Sequence, residues 1–254
     1  MIFNVSEKSD LPVIVMLHGG GLSDWSLSKV ADLLKSDFQV ITPILDGHGE
    51  DAESTFISIE DCADKLIANI DQHFGGSVEL LSGLSIGAQV VIEALMRRPA
   101  LAKKAVIESG LILPMKSVAQ MVPSSMKMSY PLIKQRWFAK LQAKSMFIEQ
   151  DLFERYYQDS MKMSLESLIN MSVSNALYDP QHLQNITAQT LILVGEKEIS
   201  AMKKSAEKLN MEISRSRLVT VKSMGHGQLS LQNPKQYVNQ LIQSGIIDLK
   251  DYRP

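Results

Sequence analysis

Apolar positions along the chain follow two rhythms. Short, nearly unbroken runs occur at residues 12–17, 38–42, 78–81, 105–107, 190–194 and 218–221. Such runs suit strands covered on both faces, as in a parallel sheet. Between them, apolar residues recur at three- and four-residue spacing, the mark of a helix with one buried face. Leu27, Val30, Ala31 and Leu34 form one such stripe; Ile59, Cys62, Ala63, Leu66, Ile67, Ile70 and Phe74 form another. The second carries its own punctuation, with Ser58 and Asp61 as a capping box and Gly75-Gly76 as a stop. Val90, Val91, Ala94 and Leu95 share the face of a helix that must end near Arg98, because Pro99 disfavours a helical predecessor. A further helix is read at 201–209. Asn233-Pro234 opens a last one, which buries Tyr237, Val238, Leu241 and Ile242 and stops at Gly245. Met1 to Val5 offers a short edge strand. Strands alternating with helices define an α/β fold: a mostly parallel, twisted sheet with helices on both faces.

From 111 to 186 the rhythm changes. Strand signal is sparse, aromatics and helix-forming charged residues intersperse, and eight of the fourteen methionines fall here. This reads as a mainly helical cap or lid inserted into a core made of residues 1–110 and 187–254. Methionine adapts to irregular apolar surfaces, which suits a malleable cover over a pocket and equally suits ordinary helix packing.

The 254 residues lie near the upper limit for one hydrophobic core. A formal net charge of −2 gives no reason to expect nucleic acid or an anionic membrane as partner. The lone Cys62 excludes an internal disulfide and a cysteine-paired zinc site, and reads as a small apolar residue on a buried helix face. The first ten residues lack the basic start and long apolar segment of a signal peptide, and no apolar run has the length to cross a bilayer. A cytoplasmic location is the expectation.

Candidate chemistry lies where strands end, the rim at which open parallel sheets gather ligands. The clearest case is Gly83-Leu84-Ser85-Ile86-Gly87, set between a strand and a helix. Glycines there let the chain turn sharply and expose the serine hydroxyl. A serine is a poor nucleophile at neutral pH: it needs a base, an acid to orient that base, and fixed amides for the oxyanion. Four other polar stretches follow strands directly, at 18–21, 46–49, 195–198 and 225–227.

Together these stretches resemble the α/β-hydrolase fold family over essentially the whole chain. The shared features are His18-Gly19-Gly20-Gly21, Asp46-Gly47-His48-Gly49, the Gly83 to Gly87 elbow and Gly225-His226, in that order. The resemblance implies Ser85 as nucleophile and His226 as general base. It gives His18 and His48 structural roles, and His73 and His182 have no motif around them. The family's acid usually stands three residues past the glycine that ends its strand, which is Glu198 here. Glutamate in place of aspartate adds a methylene, so its loop is expected to sit slightly further back. Glu196 and Glu108 are the alternatives. The implied oxyanion donors are the amides of Gly20 and Ile86. Trp25, with methionines of the insertion, is a candidate for lining the substrate pocket.

The activity so implied is hydrolysis of a small carboxylic ester through an acyl-enzyme. Its partner is a small-molecule substrate, and no metal or organic cofactor is called for. The same scaffold also supports carbon–carbon hydrolases, lyases, lactonases, perhydrolases and some non-catalytic ligand receptors, so the fold does not choose among them.

Overall fold

The computed structural model describes residues 1–5 and 10–249; the part of the N-terminal reading that covers residues 6–9 lies outside them. The elements run β1 (Val13–Leu17), α1 (Ser28–Leu34), β2 (Gln39–Ile41), α2 (Ile59–Phe74), β3 (Val78–Leu84), α3 (Ile86–Arg97) and β4 (Ala102–Glu108). Four helices follow without a strand: α4 (Lys116–Ile133), α5 (Arg136–Ser145), α6 (Phe153–Lys162) and α7 (Leu165–Leu177). The chain then returns to the sheet with β5 (Gln189–Gly195), α8 (Ser200–Glu212), β6 (Ser216–Val221), α9 (Gln228–Gln232) and α10 (Pro234–Gln243).

The six strands are parallel, in the order β2-β1-β3-β4-β5-β6. Successive strand residues point to opposite faces, and here both faces are covered. Val15, Leu17, Leu81, Ile107 and Ile192 pack beneath α2, α3 and α8. Ile14, Met16, Leu80, Val106 and Leu191 pack beneath α1 and α10. That two-sided burial is why the strand runs are unbroken rather than alternating. On the α10 side, the buried Tyr237 hydroxyl meets Ser82 Oγ at 2.7 Å, so the phenol brought into that apolar layer has a partner.

Local punctuation works largely as the chemistry requires. Ser58 Oγ accepts the Asp61 N–H at 3.2 Å, and Gly75 closes α2 at φ 66°. The reciprocal half of the capping box gives way to an ion pair, since the Asp61 carboxylate lies 2.7 Å from Lys65 Nζ. Ahead of Pro99, Arg98 leaves the helix at φ −138°, ψ 85°. Met1 to Val5 forms no edge strand. It makes one antiparallel bridge, Ile2 with Ile44, and then the Val5 N–H turns back to the Phe3 carbonyl at 3.1 Å.

Strand register sets up the site. Leu17 pairs with Gly83, Leu84 with Glu108, Glu108 with Leu193 and Gly195 with Val221. The residues that follow these strands therefore emerge on one rim. The α4–α7 segment has a small core of its own around Ile133, Met163 and Leu168. It meets the sheet through a second cluster holding Trp25, Leu84, Ala139, Ala143 and Tyr156. No helix among the described residues is long and apolar enough to cross a membrane.

Candidate active site

Ser85 occupies the apex between β3 and α3 at φ 55°, ψ −114°, a backbone state costly for any residue with a Cβ. The surrounding packing imposes it. A methyl on Gly83 would stand 2.3 Å from the Gly87 carbonyl oxygen, and one on Gly87 would stand 2.5 Å from that of His18. Strand, elbow and loop therefore press together through bare backbone. The Ser85 N–H donates to the Glu108 carbonyl at 2.9 Å, which ties the apex to the neighbouring strand end.

Ser85 Oγ lies 3.0 Å from His226 Nε2, and His226 Nδ1 lies 2.8 Å from Glu198 Oε2. A carboxylate can only accept, so Nδ1 carries the proton and Nε2 presents its lone pair to the serine hydroxyl. The imidazole is 48% exposed at the side chain and the carboxylate 1%. Burial pushes the Glu198 carboxyl up. The His226 pairing and hydrogen bonds from the Gly195 N–H and the Ser109 hydroxyl, both at 2.8 Å, outweigh it and hold the group below its ordinary value. Those two donors share Oε1, leaving Oε2 for the ring. The longer glutamate is accommodated by folding back over the end of its own strand, whose Gly195 amide it accepts.

The other two acids face elsewhere. Glu196 Oε2 accepts the Ser223 N–H at 2.8 Å. Glu108 is buried and accepts the Ser230 N–H at 3.2 Å, and burial pushes its carboxyl up to about 7. Ser109 was not legible as a site residue. It sits at φ 55°, donates to Glu198, and accepts the Gly227 N–H at 3.3 Å, so one hydroxyl joins the acid to the histidine loop. Only its place directly after a strand end marked it.

The first amides of α3 have no intrahelical acceptor, and Ile86 supplies the first of them beside Ser85. Gly20 lies on the facing loop, where an added Cβ would meet Met171 Sδ at 2.8 Å. His18 braces that loop: Nδ1 donates to the Gly19 carbonyl at 2.9 Å, which leaves Nε2 to accept the Leu45 N–H at 3.1 Å. Complete burial lowers its pKa to about 3, so the ring is neutral. His48 Nδ1 meets the Asp46 carbonyl at 2.8 Å.

Two cavities flank the Ser85–His226 pair. One of about 130 Å³ lies on the Gly20 side, walled by Leu22, Leu84, Met146 and Leu231. The other, about 340 Å³, is walled by Leu111, Met115, Asn175, Lys197, Ile199 and Met202. Trp25 lines neither of them. It is buried under the helical segment, where its indole N–H donates to Asp159 at 2.8 Å. Its apolar bulk is used to join segment to sheet. Met115, Met146 and Met202 are the methionines that reach the cavities; Lys197, from the polar stretch at 195–198, and Asn175, which carried no motif, are polar wall residues.

One group among the described residues could offer metal-ligand atoms together: Asp46, Asp61 and Cys62. Lys65 Nζ lies 2.9 Å from Asp46 and 2.7 Å from Asp61, so an ammonium already supplies the countercharge there. Burial pushes the Cys62 thiol up, away from the thiolate a metal prefers.

A sequence model of the alpha/beta hydrolase family matches residues 14–240, and the chain belongs to that family. An uncharacterized hydrolase, YugF, of Bacillus subtilis is 24% identical over 228 residues, covering 84% of this chain and 82% of that protein. Among solved structures, an esterase from Exiguobacterium antarcticum superposes with a TM-score of 0.78 at 18% identity, over 96% of this chain and 95% of its own. A bromoperoxidase from Bacillus anthracis does so at 0.79 and 15%, over 93% and 92%.

Proposed function

We propose that this chain is a serine hydrolase that cleaves small carboxylic esters. Ser85 attacks the substrate carbonyl while His226 Nε2 takes its proton. Glu198 holds the imidazole in the required tautomer and stabilises its charged form. The amides of Gly20 and Ile86 receive the oxyanion. The leaving alcohol takes the proton back from His226, and water activated by the same ring then releases the acid from Ser85. The α4–α7 segment serves as a cap over the two cavities.

The observation that carries this reading is the continuous relay from Ser85 Oγ through His226 to Glu198, at 3.0 and 2.8 Å. The two unequal cavities favour a substrate with one short arm. At about 130 Å³ the Gly20-side cavity falls well below the roughly 300 Å³ at which drug-sized pockets begin, while the 340 Å³ one just reaches it. The Exiguobacterium neighbour's designation as an esterase supports the same direction.

The test is hydrolysis of p-nitrophenyl acetate and butyrate by wild type and Ser85→Ala, with fluorophosphonate labelling alongside. Activity and labelling are expected for wild type and neither for the variant. Equal rates for the two proteins would overturn the proposal. Labelling of Ser85 with no turnover across a broad ester panel would replace it with another chemistry of the same fold.

A further inference from the structure

The total charge of −2 conceals a strong local segregation. Residues 109–148 contain Lys116, Lys127, Lys134, Arg136, Lys140 and Lys144, and no aspartate or glutamate. Six of the chain's 26 basic residues and none of its 28 acidic ones fall there, leaving 20 against 28, a net −8, for everything else. Two of the six are engaged: Arg136 pairs with Glu154, and Lys134 Nζ donates to the Met161 carbonyl at 3.2 Å. Lys116, Lys127, Lys140 and Lys144 are exposed and form no salt bridge among the described residues.

The same two helices also face solvent with an apolar stripe. α4 turns Ala119, Val122 and Ile133 inward, and α5 turns Ala139 and Ala143 inward. On the opposite side of α4 stand Met121, Met128 and Leu132, and on that of α5 stand Trp137 and Leu141. These five are between 41% and 79% exposed. Spacings of seven and four residues put Met121, Met128 and Leu132 within one narrow strip of the α4 surface, and a spacing of four aligns Trp137 with Leu141. Solvent-facing apolar strips of this kind mark interaction surfaces.

We propose that the outer face of α4 and α5 docks on an anionic lipid surface. The charge decides among occupants. A second copy docking through the same face would set one lysine-rich patch against another, and like charges oppose that contact. Interfaces between proteins are depleted in lysine, whereas five of these six cations are lysine. Lysine stems lie along apolar surface while their ammonium groups reach outward, and an exposed tryptophan beside them suits the headgroup boundary. With an apolar strip on each of the two helices and lysines along the same helices, the attachment is peripheral and salt-sensitive.

The test uses the full chain and sucrose-loaded vesicles, either phosphatidylcholine alone or phosphatidylcholine and phosphatidylglycerol in equal parts. Sedimentation is expected with the anionic vesicles at low salt, with release at high salt and none on phosphatidylcholine. Trp137 emission should shift to the blue on binding, a shift absent in Trp137→Phe. Reversing Lys127, Lys140 and Lys144 to glutamate should weaken vesicle binding by roughly tenfold or more, while ester hydrolysis in solution and the unfolding midpoint stay at wild-type values. Ser85→Ala should bind vesicles as wild type does, which separates this proposal from the proposed chemistry. No anionic binding, equal binding to both vesicle types, or undiminished binding of the reversed variant would overturn it. A dimer in sedimentation velocity that Leu141→Lys dissolves would assign the face to a second copy instead.

Discussion

Glu198 Oε2 stands 2.8 Å from His226 Nδ1, while Glu108, one strand away and equally buried, turns to the backbone of Ser230. Two carboxyls thus lie near one imidazole, and only one touches it. Glu198→Gln keeps the shape but offers the ring an amide, which favours the wrong tautomer. Its kcat on p-nitrophenyl acetate should fall by about a thousandfold or more. Glu108→Gln keeps an acceptor for Ser230 and should leave kcat close to wild type. Steady-state kinetics on both variants decide the matter, and a comparable loss in Glu108→Gln would reassign the acid.

Glu108 should instead show itself in stability against pH. Burial raises its carboxyl from an ordinary 4.5 to about 7 in the folded protein. Below 4.5 both states hold the proton and the group exerts no pH-dependent effect. Between 4.5 and about 7 the unfolded chain ionises Glu108 while the folded chain does not, so stability is lost as pH rises. Above about 7 the penalty is constant, at about 3 kcal/mol. Glu198 has the opposite sign: its lowered value contributes stability that disappears as pH falls. Denaturant titrations of wild type and Glu108→Gln across this range should diverge towards neutral pH, with the variant the more stable.

Ser109 joins the acid to the histidine loop with one hydroxyl. Ser109→Ala removes a donor to buried Glu198 and leaves the Gly227 N–H without its acceptor. Urea unfolding should show a loss of about 1–3 kcal/mol. The kcat should drop while KM holds, because the hydroxyl supports the relay and lines neither cavity. A variant that lost stability with unchanged kcat would reduce Ser109 to a packing role.

Gly20 and Gly87 should respond differently to the same added methyl. At Gly20 the new atom meets the sulfur of Met171, the flexible end of a side chain. Gly20→Ala should therefore fold, at a cost of about 1–3 kcal/mol, and Met171→Ala in the same protein should recover part of it. At Gly87 the obstacle is the carbonyl of His18, and Gly87→Ala should yield little soluble protein.

Most of the sheet was legible in the sequence because burial on both faces writes strands as continuous apolar runs. The elbow was legible because two glycines bracket one serine between a strand and a helix, and the order of the glycine-flanked histidines added the rest of the outline. The partner of His226 was legible only through the family resemblance, which pointed to Glu198 and left Glu196 and Glu108 as alternatives. The contact itself depends on which side chain turns towards His226: Glu108 ends β4, whereas Glu196 and Glu198 follow the end of β5 at Gly195. The short helix α9 escaped notice because five residues carry too little periodicity to read. Trp25 misled for a related reason: position near a loop motif says nothing of whether an indole turns to a cavity or to Asp159. The segregation of lysines was visible along the chain, but a whole-chain sum averages it away.

The bare backbone contacts beneath Ser85 have a further consequence for how this chain can diverge. A side chain struck by a neighbour can rotate aside, whereas a backbone carbonyl fixed by the surrounding fold cannot. Flexible side chains such as Leu22, Met146, Leu111, Met115, Asn175 and Met202, by contrast, line the two cavities. Selection can therefore retune what the molecule accepts by ordinary replacements there. The seat of the reaction, anchored to carbonyls that cannot yield, is inherited whole or lost.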